Sequence, residues 1–243
     1  MDFAKADILG INVASLTMPE AVAQAEEYMA EKKTALIVTA NAEMIMQAVK
    51  DSDLRKIVNS ADLVVPDGAG AVWAARHLGY DMPERVAGFD LVQELLRRAP
   101  KYRQKIFFFG AAPGVAEQAK RKAEIKYPGI QIVGTRDGYF SSADEPDILA
   151  EIRRAAPDLL LTALGVPRQE KWLAKHREEL KVPLAIGVGG TFDVMAGVVK
   201  RAPRWMQRAK LEWLFRGLHQ PKRIRRLMAL PRFILRVRAA KKQ

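Results

Sequence analysis

The stretch PLAIGVGGTFDVMAGVVKRAP, residues 183–203, decides how the rest of the chain is read. It opens with a short apolar run, and Gly187, Gly189 and Gly190 stand where that run ends. A buried strand closing in a glycine-rich turn lets backbone N–H groups approach a ligand closely, and such a turn ahead of a helix suits a diphosphate. The far end of the stretch marks a change of character. From Lys200 to Gln243 fifteen Lys and Arg stand against one acid, Glu212, a net charge of +14; the whole chain carries +12, so residues 1–199 carry −2. This split predicts two parts, a nearly neutral body over residues 1–199 and a basic appendage over residues 200–243.

Upstream of the glycine turn, apolar runs and helical patterns alternate. Strands are expected at Ile8–Val13, Ala35–Thr39, Leu63–Pro66, Lys105–Phe109, Ile130–Gly134, Leu159–Ala163 and Pro183–Gly187. Between them, Thr17 and Glu20 have the spacing of a capping box that opens a helix to about Lys32. Further helices are expected at Met44–Lys50, Leu54–Asn59, Ala71–Leu78, Leu91–Ala99, Val115–Lys126, Glu145–Ala155 and Glu170–His176. The strand runs are apolar throughout instead of alternating, which signals strands buried on both faces. The expected fold is therefore α/β and Rossmann-like: a mostly parallel sheet with helices on both faces, plus a basic helical C-terminal appendage.

The 243 residues, 49% of them hydrophobic, suffice for one substantial core. Cysteine is absent, which excludes disulfides, thiolate metal sites and cysteine nucleophiles and fits a cytoplasmic setting. The N-terminal MDFAKADILGINVASL has no basic region followed by a long apolar run, so no signal peptide is expected. No uncharged apolar stretch reaches 18 residues, so a contact with a membrane would be made at its surface.

In parallel sheets ligands bind beyond the carboxyl ends of the strands. The residues found there are Thr39 and Asn41, Asp67, Gly110, the Gly138-Tyr139 loop, Gly165 with Gln169, and Gly187 to Asp193. Asp67 follows an apolar strand and precedes Gly68, so it is either the N-cap of the next helix or a partly desolvated general base. The turns Gly110–Gly114 and Gly187–Gly190 suit phosphate, although neither is a full dinucleotide fingerprint, and each taken alone reads first as a tight turn. Asp51-Ser52-Asp53 spells a D-x-D, a metal-holding arrangement in many sugar-nucleotide transferases. It lies between two helices, away from any strand end, and reads as a solvated capping turn. The histidines at 77, 176 and 219 are too scattered for a metal cluster and read as surface or helix-end residues. No metal site and no cofactor are expected.

In the appendage, Trp205, Trp213, Phe215, Phe233 and Leu235 are interleaved with arginines, and Pro221 and Pro231 read as helix starts. Short basic helices with large apolar residues favour an anionic membrane surface over nucleic acid. A non-catalytic lipid- or nucleic-acid-binding module is the reading from a different class.

Taken together, Thr39-x-Asn41-x-Glu43, Pro66-Asp67-Gly68, Glu84-Arg85-Val86-x-Gly88, Gly165-x-Pro167-x-Gln169-Glu170, GVGGTFD from Gly187 to Asp193, Ala196-Gly197, Arg201-Ala202-Pro203 and Glu212-Trp213-Leu214-x-Arg216 resemble the motif set of the WecG/TagA/CpsF glycosyltransferases, glycosyltransferase family 26. The likeness runs from about Ile8 to Arg226 and is greatest to the TagA branch of wall teichoic acid synthesis. It implies metal-independent, inverting transfer of N-acetylmannosamine from a UDP-sugar donor to the 4-hydroxyl of N-acetylglucosamine on undecaprenyl diphosphate, at the inner face of the cell membrane. Relatives using N-acetylmannosaminuronic acid or glucose leave the donor sugar open, and a homo-oligomer is compatible with the likeness. By the same resemblance Asp67 is the base, and Thr39, Asn41, Arg85 and Gln169 line the donor and acceptor pocket. Tyr139 and Asp193 then meet the nucleotide, and Arg216, Arg223 and Arg226 bring positive charge to the diphosphates; Gly110, Gly165, Gly187, Gly189 and Gly190, read from their places at the strand ends, are the substrate-binding turns.

Overall fold

The computed structural model describes residues 1–203, 205–206, 215 and 229–241. Six strands form one parallel sheet: β3 (Ala35–Ala40), β4 (Leu63–Pro66), β5 (Lys105–Gly110), β6 (Gln131–Arg136), β7 (Leu159–Ala163) and β8 (Leu184–Gly187). Their order across the sheet is β4-β3-β8-β7-β5-β6, so the chain leaves β4 on one edge and re-enters at β5 near the other. The expected α/β sheet with helices on both faces is the one observed.

The triple phenylalanine of β5 shows how both faces are filled. Phe108 points to one core with α1 (Met18–Ala30), α5 (Gly88–Tyr102), α6 (Val115–Lys126) and α9 (Thr191–Ala196), where its ring stacks on Phe192 at 4.7 Å. Phe107 and Phe109 point to the other core, built with α2 (Ala42–Ala48), α3 (Ser52–Asn59), α4 (Ala69–His77), α7 (Glu145–Ala155) and α8 (Arg168–Leu180). All three are fully buried, and side chains of that size contribute about 1.5–3 kcal/mol each when removed from water.

The first expected strand is in fact an antiparallel hairpin, β1 (Lys5–Ile8) and β2 (Ile11–Ala14), apart from the main sheet. Leu9 and Gly10 turn it with φ of 54° and 87°, and Asp7 Oδ1 accepts from the Gly10 N–H at 2.6 Å. A leucine in a left-handed turn leaves no local signal, which is why the run reads as one strand. Helix α8 also extends to Leu180, so His176 is neither at the surface nor at a helix end. It is buried beside Trp172, with Glu145 Oε2 3.2 Å from its Nε2. His77 does lie in the last turn of α4, stacked on Trp73, while His219 falls outside the described residues.

At the C-terminus α10 (Ala229–Ala240) packs on α2 and α4 and completes the second core with Phe233 and Val237, both fully buried. Pro231 lies within this helix; the residues before Ala229, which would show whether the helix begins there, lie outside the described residues. Pro221, like Trp213, lies outside the described residues. Among the described residues no helix is long and apolar enough to cross a membrane.

Candidate active site

The carboxyl ends of all six strands lie along one rim. Asp67 follows β4, and its N–H donates to the carbonyls of Ala40 at 2.9 Å and Val65 at 3.0 Å, which pins it against the end of β3. The residue is half-buried. Gly68, at φ 90°, is the N-cap of helix α4, so Asp67 stands one residue before the cap position. A Cβ at Gly68 would stand 3.7 Å from the Cβ of Asn41, so Asn41 borders the same corner. Asn41 caps α2, its Oδ1 accepting from Met44 N–H at 3.0 Å. The backbone next to Arg85 is tied to the end of β4, since Val86 donates to the Pro66 carbonyl at 3.0 Å. Thr39 lies beneath, 8% exposed, its hydroxyl 3.4 Å from the Gly187 carbonyl and its methyl against Gly88.

The turns after β7 and β8 are tied by one side chain. Gln169, 1% exposed, accepts at Oε1 from the N–H of Gly165 at 3.1 Å and the N–H of Gly189 at 3.0 Å. Its Nε2 donates to Glu170 Oε1 at 2.8 Å. Gly187 has to be glycine, since a Cβ there would come within 2.5 Å of Gln169 Nε2. The N–H of Val188 meets the Thr162 carbonyl at 2.8 Å, so the N–H groups of Val188 and Gly189 already have partners within the fold. Gly190 and the first turn of α9, which carries half-buried Asp193, complete this part of the rim.

Further along, Gly110 at φ 118° lies so close to Ala163 that a Cβ would meet its backbone at 2.5 Å. Gly138 packs on Gly110 and Leu164 in the same way, and its N–H donates to the Ala111 carbonyl at 2.8 Å. Tyr139 then projects outward, 75% exposed. Arg168 holds this loop from α8: its Nη1 donates to the Gly138 carbonyl at 2.9 Å and its guanidinium lies 4.3 Å from the centre of the Phe140 ring. Sequence reasoning passes over Arg168, whose partners are thirty residues away with no local pattern to announce them.

Neighbouring strands lie about 4.8 Å apart, so Asp67 is two steps, roughly 10 Å, from the Gly187–Gly190 turn and about 19 Å from Gly110. The first turn is within reach of a sugar diphosphate held at Asp67; the second belongs to the far part of the rim. Asp51 is the N-cap of α3, accepting from Asp53 and Leu54, and its other oxygen meets Lys171 Nζ at 2.7 Å, the capping turn expected of the D-x-D. Arg201 forms a two-pronged ion pair with Asp90 in the first turn of α5, at 2.7 and 2.8 Å, and lies over Phe89. Arg216, Arg223 and Arg226 lie outside the described residues.

A parallel sheet whose strand ends gather a carboxylate, an arginine and glycine turns is the architecture of an α/β enzyme acting on a phosphorylated ligand. The family model described as "Glycosyl transferase WecG/TagA/CpsF family" matches residues 6–243, and the chain belongs to this family. It is 38% identical over 212 residues to a Bacillus subtilis protein, covering 87% of this chain and 82% of that one. It is 37% identical over 210 residues to one from Bacillus spizizenii, covering 86% and 81%, and 34% identical over 242 residues to one from Staphylococcus aureus, covering 99% and 94%. All three relatives are named N-acetylglucosaminyldiphosphoundecaprenol N-acetyl-beta-D-mannosaminyltransferase.

Proposed function

We propose that the chain is an inverting, UDP-sugar-dependent hexosyltransferase that moves N-acetylmannosamine from UDP-N-acetylmannosamine to the 4-hydroxyl of N-acetylglucosamine on undecaprenyl diphosphate, as in teichoic acid linkage-unit synthesis. The observation that carries this reading is the place of Asp67: half-buried at the carboxyl end of an edge strand and two strands from the glycine turn. The donor would lie along the rim with its sugar over Thr39, Asn41 and Asp67, its diphosphate toward the β8 turn, and its nucleoside toward Asp193, Gly110 and Tyr139.

In the transfer step the Asp67 carboxylate takes the proton of the acceptor hydroxyl while that oxygen forms a bond to the anomeric carbon. The bond from that carbon to the β-phosphate oxygen breaks, and UDP departs with the electron pair. Attack from the face opposite UDP turns the α donor into a β product. Charge growing on UDP calls for fixed donors and cations, a role for Arg85 at the rim and, by resemblance, for Arg216, Arg223 and Arg226.

The acceptor is lipid-linked, and the exposed face of α10 fits an anionic membrane surface at the cytoplasmic side. Arg232, Arg236, Arg238 and Lys241 are exposed on the same helix and its end as Leu235, which is 66% exposed, and Trp205, at the start of the basic segment, is 64% exposed. UDP release with UDP-N-acetylmannosamine and a soluble lipid-diphosphate N-acetylglucosamine acceptor tests the reading. Turnover that requires both substrates supports it; turnover only with UDP-glucose or the uronic acid donor would move the chain to another sugar.

A further inference from the structure

Glu170 takes no part in the transfer just described, yet it is 1% exposed and directly follows Gln169 at the head of α8. One of its oxygens accepts from Gln169 Nε2 at 2.8 Å; the other is buried with no hydrogen-bond partner among the described residues. On its far side the Gln169 amide oxygen receives two backbone N–H groups, Gly165 from the β7 turn and Gly189 from the β8 turn.

The chemistry allows only one orientation of this amide. Turned over, it would aim its NH₂ group at two N–H donors, losing both of those hydrogen bonds in a buried space, and it would offer the Glu170 carboxylate an oxygen in place of a donor. The two N–H donors fix what must lie on one side of the amide, and Glu170 supplies the acceptor that makes the other side an NH₂ site. We propose that Glu170 is a positioning residue: by holding the Gln169 amide in one orientation, it keeps the β7 and β8 turns joined and the donor-binding rim in shape. Gly187 belongs to the same device, because only a residue without a side chain leaves room for the amide across β8. Burial, the main influence on this carboxyl, pushes its pKa up to about 7, opposed by its hydrogen bond with Gln169.

This inference rests on the reading of the β8 turn as part of the donor diphosphate site, and the test separates the two. The affinity for UDP and the amide exchange of Gly165 and Gly189 are measured for the wild type, Glu170→Gln, which retains an acceptor oxygen, and Glu170→Met, which has similar length and none. The expected result is UDP binding within about twofold of wild type for Glu170→Gln and about three- to tenfold weaker for Glu170→Met, the loss of one hydrogen bond. Exchange at both glycines should quicken in Glu170→Met alone. Should Glu170→Met not fold, Glu170→Asp replaces it, with its carboxyl withdrawn by one methylene and the same losses expected. Wild-type affinity and unchanged exchange in the variant lacking the contact would overturn the proposal. Failure of the wild type to bind UDP would instead overturn the donor-site reading.

Discussion

Thr39 and Gly88 set the tolerance of the rim at the scale of single residues. A Cβ at Gly88 would approach Thr39 Cγ2 to 2.9 Å, and Thr39 is 8% exposed and stiff at its branched Cβ. Gly88→Ala is expected to destabilise by about 1–3 kcal/mol in urea unfolding, as overpacking does, and to lower transfer by displacing Thr39. Glu170 gives the second residue-level expectation. Its pKa rises from 4.5 to about 7 on folding through burial, so the native state holds the proton more tightly between those values. The associated stability is fully present below about pH 4.5 and is lost as pH rises through about 7. Glu170→Gln does not titrate. Its stability relative to wild type should therefore climb by on the order of 3 kcal/mol between pH 4.5 and pH 8, read from urea midpoints; a constant difference would mean that Glu170 is solvated.

Among the elements, α10 shows why a charged tail is also structural. Phe233 and Val237 pack in the core against α2 and α4, and a Cβ at Gly70 in the first turn of α4 would stand 3.7 Å from Leu230 and 3.8 Å from Phe233. Phe233→Ala should cost about 3–5 kcal/mol, the usual penalty for emptying an aromatic core site, and should speed amide exchange throughout α10. Deleting residues 200–243 would therefore open the core as well as remove charge, which makes it a poor test of membrane contact. The sequence made most elements legible because the strand runs are long, apolar and punctuated by glycine, and because Thr17 and Glu20 spell the α1 capping box that the structure shows. The hairpin at Leu9-Gly10 was not legible, since nothing in a leucine announces a positive φ. Nor was the Arg201–Asp90 pair, whose members are 111 residues apart and meet only once α5 and the end of the body are packed.

For the whole molecule, the rule that ligands gather at strand ends allowed the rim residues to be picked out before any geometry was known, Asp67 among them. The order of strands was not legible, because each apolar run looks alike; only the parallel pairing of β3 with both β4 and β8 brings Asp67 nearer the Gly187 turn than Gly110. The position of α10 gives a sharper membrane test than truncation. Replacing exposed Arg232 and Arg236 by Gln leaves the buried face intact and should weaken binding to anionic vesicles by about 30-fold at low salt, at roughly 1 kcal/mol per basic side chain. Unchanged vesicle binding would place the membrane contact elsewhere. The most direct test of the central claim is the turnover of Asp67→Asn with UDP-N-acetylmannosamine and the lipid-diphosphate acceptor. A folded variant that binds UDP normally and transfers about 100-fold more slowly, or worse, is the predicted result for a lost general base; near wild-type turnover would contradict it.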